Sequence, residues 1–304
     1  MCQVAVLLAS YNGEIFLESL LESVFSQTLS PIIFARDDGS KDSTLQILAN
    51  RKDKLVLLCD CIGNVGILEN FNILAGEART PYIAFADQDD IWAPDKLAVQ
   101  MELMIRMEMQ YGSDMPILIH SDLAVCDSHL RLVDSSLWRF QRLNPHVQSF
   151  SRLLVQNNVT GCTMLINKAL KDLAFPVPQS AVMHDWWLAL VASAVGRIGF
   201  VSRPLVRYRQ HSTNQLGAVR SDLRGALKRL NNTDPRISLG AAQLQAKAFC
   251  EYFKEREDMA DALKRADVYA KIHAKSYLQR LWSLYKYDFW KQDLLRNIGL
   301  LLYI

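Results

Sequence analysis

Short apolar runs alternate with stretches of helical periodicity through roughly the first 120 residues. The runs are bounded by polar turns and predict buried strands at residues 4–9, 32–35, 55–59, 82–86 and 117–119. Apolar residues recur at helical spacing at Phe16, Leu20, Leu21, Val24 and Phe25, again over residues 67–78, and from 95 to about 109. This strand–helix repetition predicts an α/β fold, a mostly parallel sheet with helices on both faces.

The remainder of the chain shows a mixed pattern and then a helical one. Residues 162–166 are strand-like, residues 185–195 are helical and end at Gly196, and residues 200–208 are extended but interrupted by Pro204. After Gly217 the pattern is mostly helical. We therefore expect an α/β domain over residues 1–215 and a C-terminal helical extension over residues 216–304.

The composition is that of a globular protein, and the charge is unevenly distributed. Half of the 304 residues are hydrophobic and 22% are charged, which argues against disorder. The net charge is +2, yet residues 218–304 carry 16 Lys/Arg and 10 Asp/Glu, or +6, which leaves −4 for residues 1–217. The basic part is typical of a surface that meets anions.

Cysteine usage and the lack of a targeting pattern favour the cytoplasm. Six cysteines occur at positions 2, 59, 61, 126, 162 and 250, and most lie in or beside apolar runs, so we expect reduced thiols rather than a zinc site. The N-terminus shows no signal peptide, and no apolar stretch has the length of a membrane span. Peripheral contact with the inner face of the cell membrane stays compatible with this pattern.

Polar clusters follow the predicted strands where each one ends. Ligands of parallel sheets bind beyond the carboxyl ends of the strands, so these clusters should meet in one site. In chain order they are Ser10-Tyr11-Asn12, Asp37-Asp38-Gly39-Ser40, Asn64-x-Gly66 and Asp87-Gln88-Asp89-Asp90.

Three carboxylates lie within four residues in the last of these clusters. Asp87, Asp89 and Asp90 repel one another unless a cation compensates, and hard oxygen ligands suit Mg²⁺ or Mn²⁺ held together with substrate phosphates. An acidic turn that caps the helix near Pro94 is the structural alternative. A carboxylate in the Asp37 turn could accept the imide N–H of a uracil or thymine ring, although a plain capped turn explains it equally well.

Together these motifs resemble family-2 glycosyltransferases of the GT-A fold in order and in spacing. The resemblance covers roughly residues 1–215 and rests on residues 4–12, 35–44, 64–66 and 85–92. It implies inverting transfer from a nucleoside-diphosphate sugar. In that family's pattern Asp37 reads the base and Asn64 lies near the nucleotide. We expect Ser10, Tyr11, Asn12 and Asp38 to bind the nucleotide sugar beside them. The Asp87–Asp89 pair addresses the metal and the diphosphate, with Asp89 as the direct ligand.

The resemblance also assigns roles further along the chain. The family places its general base on an acidic residue that opens a helix, which points to Asp185, although a favourable charge–dipole contact is the structural alternative. His211 corresponds to a histidine that reaches the metal or diphosphate, and Arg209 would clamp phosphate. The Gln-x-x-Arg-Trp pattern of processive members is absent, which favours transfer of a single sugar.

A narrower resemblance is to bacterial rhamnosyltransferases of O-antigen and cell-wall polysaccharide synthesis. It is carried by residues 157–163, 184–187 and 208–211. It implies dTDP-L-rhamnose as donor, with a UDP-hexose as the alternative, and a saccharide acceptor that is lipid-linked. Thr160, Gly161, Trp186 and Trp187 would then line the acceptor site, unless the loop is ordinary and the tryptophans pack in the core.

The C-terminal helices suit either a membrane surface or a packed bundle. Residues 271–304 combine six Lys/Arg and two Asp/Glu with interleaved Trp, Tyr and Phe, as in helices that lie in the headgroup layer of an anionic bilayer. A bundle that packs on the catalytic domain, or forms a homodimer contact, is the alternative. Nucleic acid is disfavoured as a partner, because the aromatic residues lie on apolar faces.

Two other function classes fit the sequence less well. A sugar-nucleotide pyrophosphorylase would carry a basic, glycine-rich loop after the first strand, whereas residues 10–14 contain no basic residue. A non-catalytic carbohydrate-binding relative would have lost the acidic cluster, which is intact. A dehydrogenase is disfavoured because no Gly-x-Gly-x-x-Gly follows a strand.

Overall fold

A nine-stranded mixed sheet forms the centre of the protein. The structure, a computed structural model, describes residues 3–59, 63–211 and 235–304. In these ranges the strands are β1 (Val4–Ser10), β2 (Ile32–Asp37), β3 (Val56–Leu58), β4 (Tyr82–Asp87), β5 (Ile91–Trp92), β6 (Ile117–Cys126), β7 (Leu132–Asp134), β8 (Leu165–Asn167) and β9 (Arg197–Arg209).

The strand order is β3-β2-β1-β4-β8-β6-β9-β5, with β7 paired to β6. Strands β3, β2, β1 and β4 run parallel, as do β6 and β9. Strand β8 is antiparallel to both of its neighbours, β4 and β6, and so joins the two parallel groups. The predicted fold class, a mostly parallel α/β sheet, is confirmed.

Helices connect the strands and continue beyond the sheet. They are α1 (Leu17–Phe25), α2 (Thr44–Ala49), α3 (Ile67–Glu77), α4 (Lys96–Tyr111), α5 (Leu137–Gln141), α6 (Phe150–Val155), α7 (Lys168–Ala174), α8 (His184–Val195), α9 (Pro235–Tyr252), α10 (Ala260–Ala270), α11 (Tyr277–Tyr287) and α12 (Leu294–Tyr303). None of them, within the described ranges, is both long and apolar enough to cross a membrane.

Both faces of the sheet are buried. Side chains alternate along β1, so that Ala5, Leu7 and Ala9 enter one hydrophobic cluster, whereas Val4, Val6 and Leu8 enter the other. Helices α3 and α8 cover the first face, and α1 and α4 cover the second. This arrangement explains why the strands are continuous apolar runs instead of alternating ones.

The first C-terminal helix packs on the sheet face that α3 and α8 cover. The Phe249 ring of α9 lies 4.9 Å from that of Phe150, and the ring of Phe253, just after the helix, lies 5.9 Å from that of Trp187 in α8. This part of the helical extension therefore shares a core with the α/β domain. The predicted boundary at residue 215 lies outside the described residues.

Two predicted strands differ from the structure. Residues 162–166 were expected to form a strand, but Gly161–Thr163 form a 3₁₀ turn and β8 begins at Leu165, because burial alone does not distinguish a buried turn from a strand. Strand β9 is not interrupted at Pro204. The proline pairs with Asp122 where the β6–β9 register shifts, so no ladder hydrogen bond is required of its nitrogen.

The cysteines that the structure describes are all free. Cys126 and Cys162 are buried, Cys250 is half-buried and Cys59 is exposed. Cys2 and Cys61 lie outside the described residues.

Candidate functional site

Strand register brings the polar clusters to one edge of the sheet. Ala9 of β1 lies opposite Asp87 of β4, and Ser10 lies opposite Asp37 of β2. The loop after β3 joins them, since the backbone N–H groups of Val65 and Gly66 donate to the carboxylate of Asp38 at 2.9 Å each. The four clusters are therefore neighbours at the carboxyl ends of the parallel strands.

Gln88 fastens the acidic cluster to the loop after β1. Its side-chain oxygen accepts from the backbone N–H of Tyr11 at 2.8 Å, and its amide nitrogen donates to the backbone oxygen of Tyr11 at 2.9 Å. A Cβ atom at Gly13 would overlap this amide, so glycine leaves room for it. Sequence reasoning missed the role of Gln88, because nothing local links residues 11 and 88.

Asn12 connects the loops after β1 and β2. Its backbone takes a left-handed conformation, with φ 48°. Its N–H donates to the Ser40 hydroxyl oxygen at 2.8 Å, and its side-chain oxygen accepts from the backbone N–H of Lys41 at 2.9 Å. Asp37 accepts from the backbone N–H of Ser40 at 2.9 Å and remains half-buried at the edge.

Asp38 and Ser10 lie inside the protein, which corrects the prediction that they contact the nucleotide. Asp38 is 3% exposed and forms a 2.7 Å ion pair with Arg36, itself 1% exposed. Ser10 is 1% exposed and donates to the backbone oxygen of Arg36 at 3.2 Å. A buried charge needs a partner, so the presence of Arg36 within an apolar strand could have indicated a buried ion pair with a nearby carboxylate.

The three aspartates of the acidic cluster differ in burial. Asp90 is fully buried, whereas Asp87 and Asp89 are half-buried. Burial, followed by the charges of Asp89 and Asp185, raises the pKa of Asp87 to about 7. Burial and the charges of Asp89 and Asp87 hold the pKa of Asp90 well above its ordinary value. A bound divalent cation would offset this mutual repulsion.

The available donor atoms suit a hard cation. Ligand atoms of Asp87, Asp90 and Cys162 lie within 4.8 Å of one another. Burial raises the pKa of the Cys162 thiol well above its usual range, and sulfur is a soft ligand that Mg²⁺ and Mn²⁺ do not prefer. Asp87 and Asp89 supply carboxylate oxygens of the kind that Mg²⁺ and Mn²⁺ prefer.

His211 lies beside the acidic cluster. Its Nε2 is 2.8 Å from Oδ2 of Asp89, although 122 residues separate the two in sequence. The structure thus brings together the three residues predicted to address the metal: Asp87, Asp89 and His211.

Arg209 is buried and donates to protein groups around the acidic loop, which corrects its predicted role as a phosphate clamp. Its Nε donates to the Asp89 backbone oxygen at 2.9 Å, and its terminal nitrogens donate to the Ser128 backbone oxygen and the Ser19 hydroxyl. The guanidinium lies 4.5 Å from the centre of the Phe16 ring. With 6% of its surface exposed, Arg209 fixes the acidic loop in place.

Asp185 sits in the first turn of α8, held by three donors. Its Oδ1 accepts from the backbone N–H of Trp186 at 2.5 Å and from the side-chain amide of Asn157 at 3.2 Å. Its Oδ2 accepts from the backbone N–H of Gly161 at 3.1 Å. Burial nevertheless raises the pKa of Asp185 to about 7, a value suited to a general base at neutral pH. The contribution of Asn157 was not foreseen.

The residues predicted to line the acceptor site divide into two groups. Trp187 is fully buried and its indole N–H donates to the Ala174 backbone oxygen at 2.9 Å, so its predicted acceptor contact is wrong. Gly161 is buried too, and a Cβ there would lie only 2.9 Å from Nε2 of His184. Its contribution to the site is the backbone N–H that it donates to Asp185. Trp186 and Thr160 are half-buried.

Comparison with known proteins identifies the family to which these motifs belong. The model described as "Glycosyl transferase family 2" matches residues 5–173, more than half of the chain. A curated relative, dTDP-rhamnosyl transferase RfbG of Shigella flexneri, is 28% identical over 227 residues, which cover 69% of this chain and 74% of that protein.

Two solved structures share the fold. TarS of S. aureus in complex with UDP-GlcNAc superimposes with a TM-score of 0.55 at 18% identity, covering 94% of this chain and 88% of that one. Mannosyltransferase PcManGT of Pyrobaculum calidifontis, in complex with GDP-Man and Mn²⁺, gives a TM-score of 0.55 at 15% identity, covering 98% and 86%.

Proposed function

The chain belongs to glycosyl transferase family 2 and is thus a nucleotide-sugar-dependent glycosyltransferase, and on this premise we propose an inverting, metal-dependent transfer of one sugar to a saccharide acceptor. The observation that carries the proposal is that one short turn links Asp185 to Asp87. Asp185 accepts from the backbone N–H of Gly161, and the thiol of the next residue, Cys162, lies within 4.8 Å of a carboxylate oxygen of Asp87. A base and a diphosphate-binding edge that lie this close can act on one bound donor.

In the proposed reaction Asp185 is the general base. Its carboxylate takes the proton of the acceptor hydroxyl while that oxygen attacks the anomeric carbon. The bond from this carbon to the diphosphate breaks at the same time, so the configuration inverts. The hydrogen bonds from Asn157 and Gly161 orient the carboxylate for this step.

The donor would lie along the carboxyl edge of the sheet. We assign Asp37 to the base, with Tyr11, Asn12 and Asn64 beside the nucleotide. Asp87, Asp89 and His211 would hold Mg²⁺ or Mn²⁺. When bound, the cation would neutralise the charge of the departing diphosphate.

The donor sugar and the acceptor are finer proposals. We propose dTDP-L-rhamnose because the relative RfbG is named a dTDP-rhamnosyl transferase. A UDP-hexose is the second candidate, since the structural neighbour TarS was solved with UDP-GlcNAc. We further propose that the acceptor saccharide is linked to a lipid and that surface polysaccharide is the product.

One assay tests the proposal directly. The purified protein is incubated with Mn²⁺, a saccharide acceptor and a panel of nucleotide sugars, and release of nucleoside diphosphate is measured beside Asp185→Asn as a control. We expect release with one class of donor and very little in the variant. Formation of pyrophosphate would indicate a pyrophosphorylase, and binding of sugar without turnover would indicate a carbohydrate-binding relative.

A further inference from the structure

The last two helices form an antiparallel hairpin at the C-terminal end. The Tyr277 hydroxyl of α11 donates to the backbone oxygen of Leu301 in α12 at 3.3 Å, and Arg280 donates to the backbone oxygen of Ile304 at 2.9 Å. On their inner sides Leu284 and Leu300 are buried. Among the described residues, the hairpin is therefore attached to the protein by one face, and the other face is exposed.

The outer face of α12 is aliphatic. Its exposed positions are Leu294, Ile298 and Leu302, which are 75%, 47% and 73% exposed. Because these residues are spaced four apart, they form one stripe along the helix. A helix on a water-facing surface ordinarily turns polar residues outward, whereas α12 is apolar on its outer face as well as on its inner one.

The outer face of α11 is apolar and aromatic. Leu278, Trp282 and Tyr285 follow one another at i, i+4 and i+7 and are 76%, 60% and 72% exposed. The Trp282 and Tyr285 rings lie 6.0 Å apart. Single exposed apolar residues are ordinary, but six on one hairpin indicate an interaction surface.

The charge around these six side chains identifies the partner. Residues 271–304 hold six Lys/Arg against two Asp/Glu. Lys286 is exposed beside Tyr285. Lys271, at the start of the segment, is also exposed and forms an ion pair with Asp267. A two-fold dimer through this face would set the same positive surface against itself, which like-charge repulsion opposes. An anionic surface is complementary to it.

We propose that the outer face of this hairpin lies on an anionic lipid bilayer. Leu294, Ile298 and Leu302 would enter the boundary of the acyl chains, Trp282 and Tyr285 would lie at the level of the headgroups, and Lys286 would meet a lipid phosphate. The helices lie in the plane of the interface, consistent with the absence of a membrane-spanning helix from the described residues.

Flotation with lipid vesicles tests this surface. We expect the full chain to float with vesicles that contain phosphatidylglycerol and to bind much less to vesicles of phosphatidylcholine alone. High salt should release part of the protein, because it screens the charges but leaves the apolar contact. Equal recovery with and without vesicles, or equal binding to both lipids, would overturn the proposal.

Variants locate the contact. The triple variant Leu294→Gln, Ile298→Gln, Leu302→Gln should lose vesicle affinity by at least about tenfold. The matched control Met109→Gln, Leu132→Gln changes side chains that are 81% and 61% exposed elsewhere, and it should bind like the parent. Should the triple variant melt early, Lys286→Gln removes one charge without touching the core and should still weaken binding about fivefold.

Sedimentation velocity separates a second copy from a membrane. We expect the parent and the triple variant to have the same mass in solution. A dimer that dissociates in the triple variant would assign this face to self-association and overturn the membrane proposal.

Discussion

The side-chain amide of Asn157 donates to Oδ1 of Asp185 across 3.2 Å, from a loop 28 residues earlier in the chain. A donor to a carboxylate favours its charged form and lowers its pKa. Asn157→Ala should therefore raise the pKa of Asp185 and shift the acidic limb of the kcat/KM profile about half a pH unit upward or more. We expect kcat at pH 7 to fall by up to about tenfold, measured by nucleoside diphosphate release across pH.

Asn158→Ala is the matched control for this change. Asn158 stabilises the same loop by donating to the backbone oxygens of Asn144 and Val147, at 3.0 and 2.9 Å. Its loss should lower thermal stability without moving the pH profile. An unshifted profile in Asn157→Ala would contradict the positioning role of Asn157.

Loss of the proposed base should affect turnover far more than nucleotide binding. Asp185→Asn should lower kcat by about 10²–10⁴, because a general base acts in the transition state. Asp37, Asp87 and Asp89 are unchanged, so calorimetric titration with nucleoside diphosphate and Mn²⁺ should give an affinity close to that of the parent. Near-normal transfer by the variant would eliminate Asp185 as the base.

Metal dependence should follow Asp89. EDTA should abolish turnover by the parent, and Asp89→Ala should lose metal-dependent turnover while the fold survives, since Asp89 lies on an edge loop. Asp95→Ala serves as the control, because Asp95 is a nearby carboxylate whose ion-pair partner is Arg203, at 2.6 Å, on the surface. Normal activity of Asp89→Ala in EDTA would refute the metal proposal.

The sequence predicts strand ends better than it predicts contacts between loops. Burial on both faces gives β1 and β4 a continuous apolar run, so the polar residues that follow them mark the functional edge. Other contacts form only once the fold is complete. They are the buried ion pair of Arg36 with Asp38, the hydrogen bonds of Gln88 to Tyr11, and the hydrogen bond of Asn157 to Asp185. Such contacts depend on register and loop packing, which no local pattern specifies.

The same limit explains the residues whose roles were misassigned. Arg209 and Trp187 have the chemistry of ligand-binding side chains, yet both direct their donors into the protein. Chemistry alone does not reveal on which side of a strand or helix such a group will lie.

Gly13 should be far less tolerant of substitution than Gly76. Gly13→Ala would push the Gln88 amide away and loosen the loop that carries Tyr11, so nucleotide affinity should fall by about tenfold or more. Gly76 lies in α3 with open space where a Cβ would be, so Gly76→Ala should stabilise the fold by about 0.5–1 kcal/mol and leave binding unchanged. Calorimetric titration and thermal melting would distinguish these outcomes, and equal affinity in Gly13→Ala would contradict the coupling.

The half-buried carboxyl of Asp185 should make the protein less stable as pH rises. Burial raises its pKa from 3.8 to about 7 in the folded state, so between these values the folded protein binds a proton that the unfolded chain has released. Stability therefore falls with increasing pH across this window, by about 1–3 kcal/mol between pH 5 and pH 8 from this residue alone.

Asp185→Asn removes that titration, although its amide meets the Gly161 N–H less favourably. We therefore expect the free energy of unfolding of the variant to increase relative to that of the parent as pH rises, whatever the difference between the two at pH 5. Asp172→Asn, which changes an exposed carboxylate on α7, should run parallel to the parent. Urea unfolding at several pH values would measure these slopes. Parallel curves of unfolding free energy against pH for the parent and Asp185→Asn would show that the carboxyl titrates at its ordinary pKa. The raised pKa would then no longer support Asp185 as the general base.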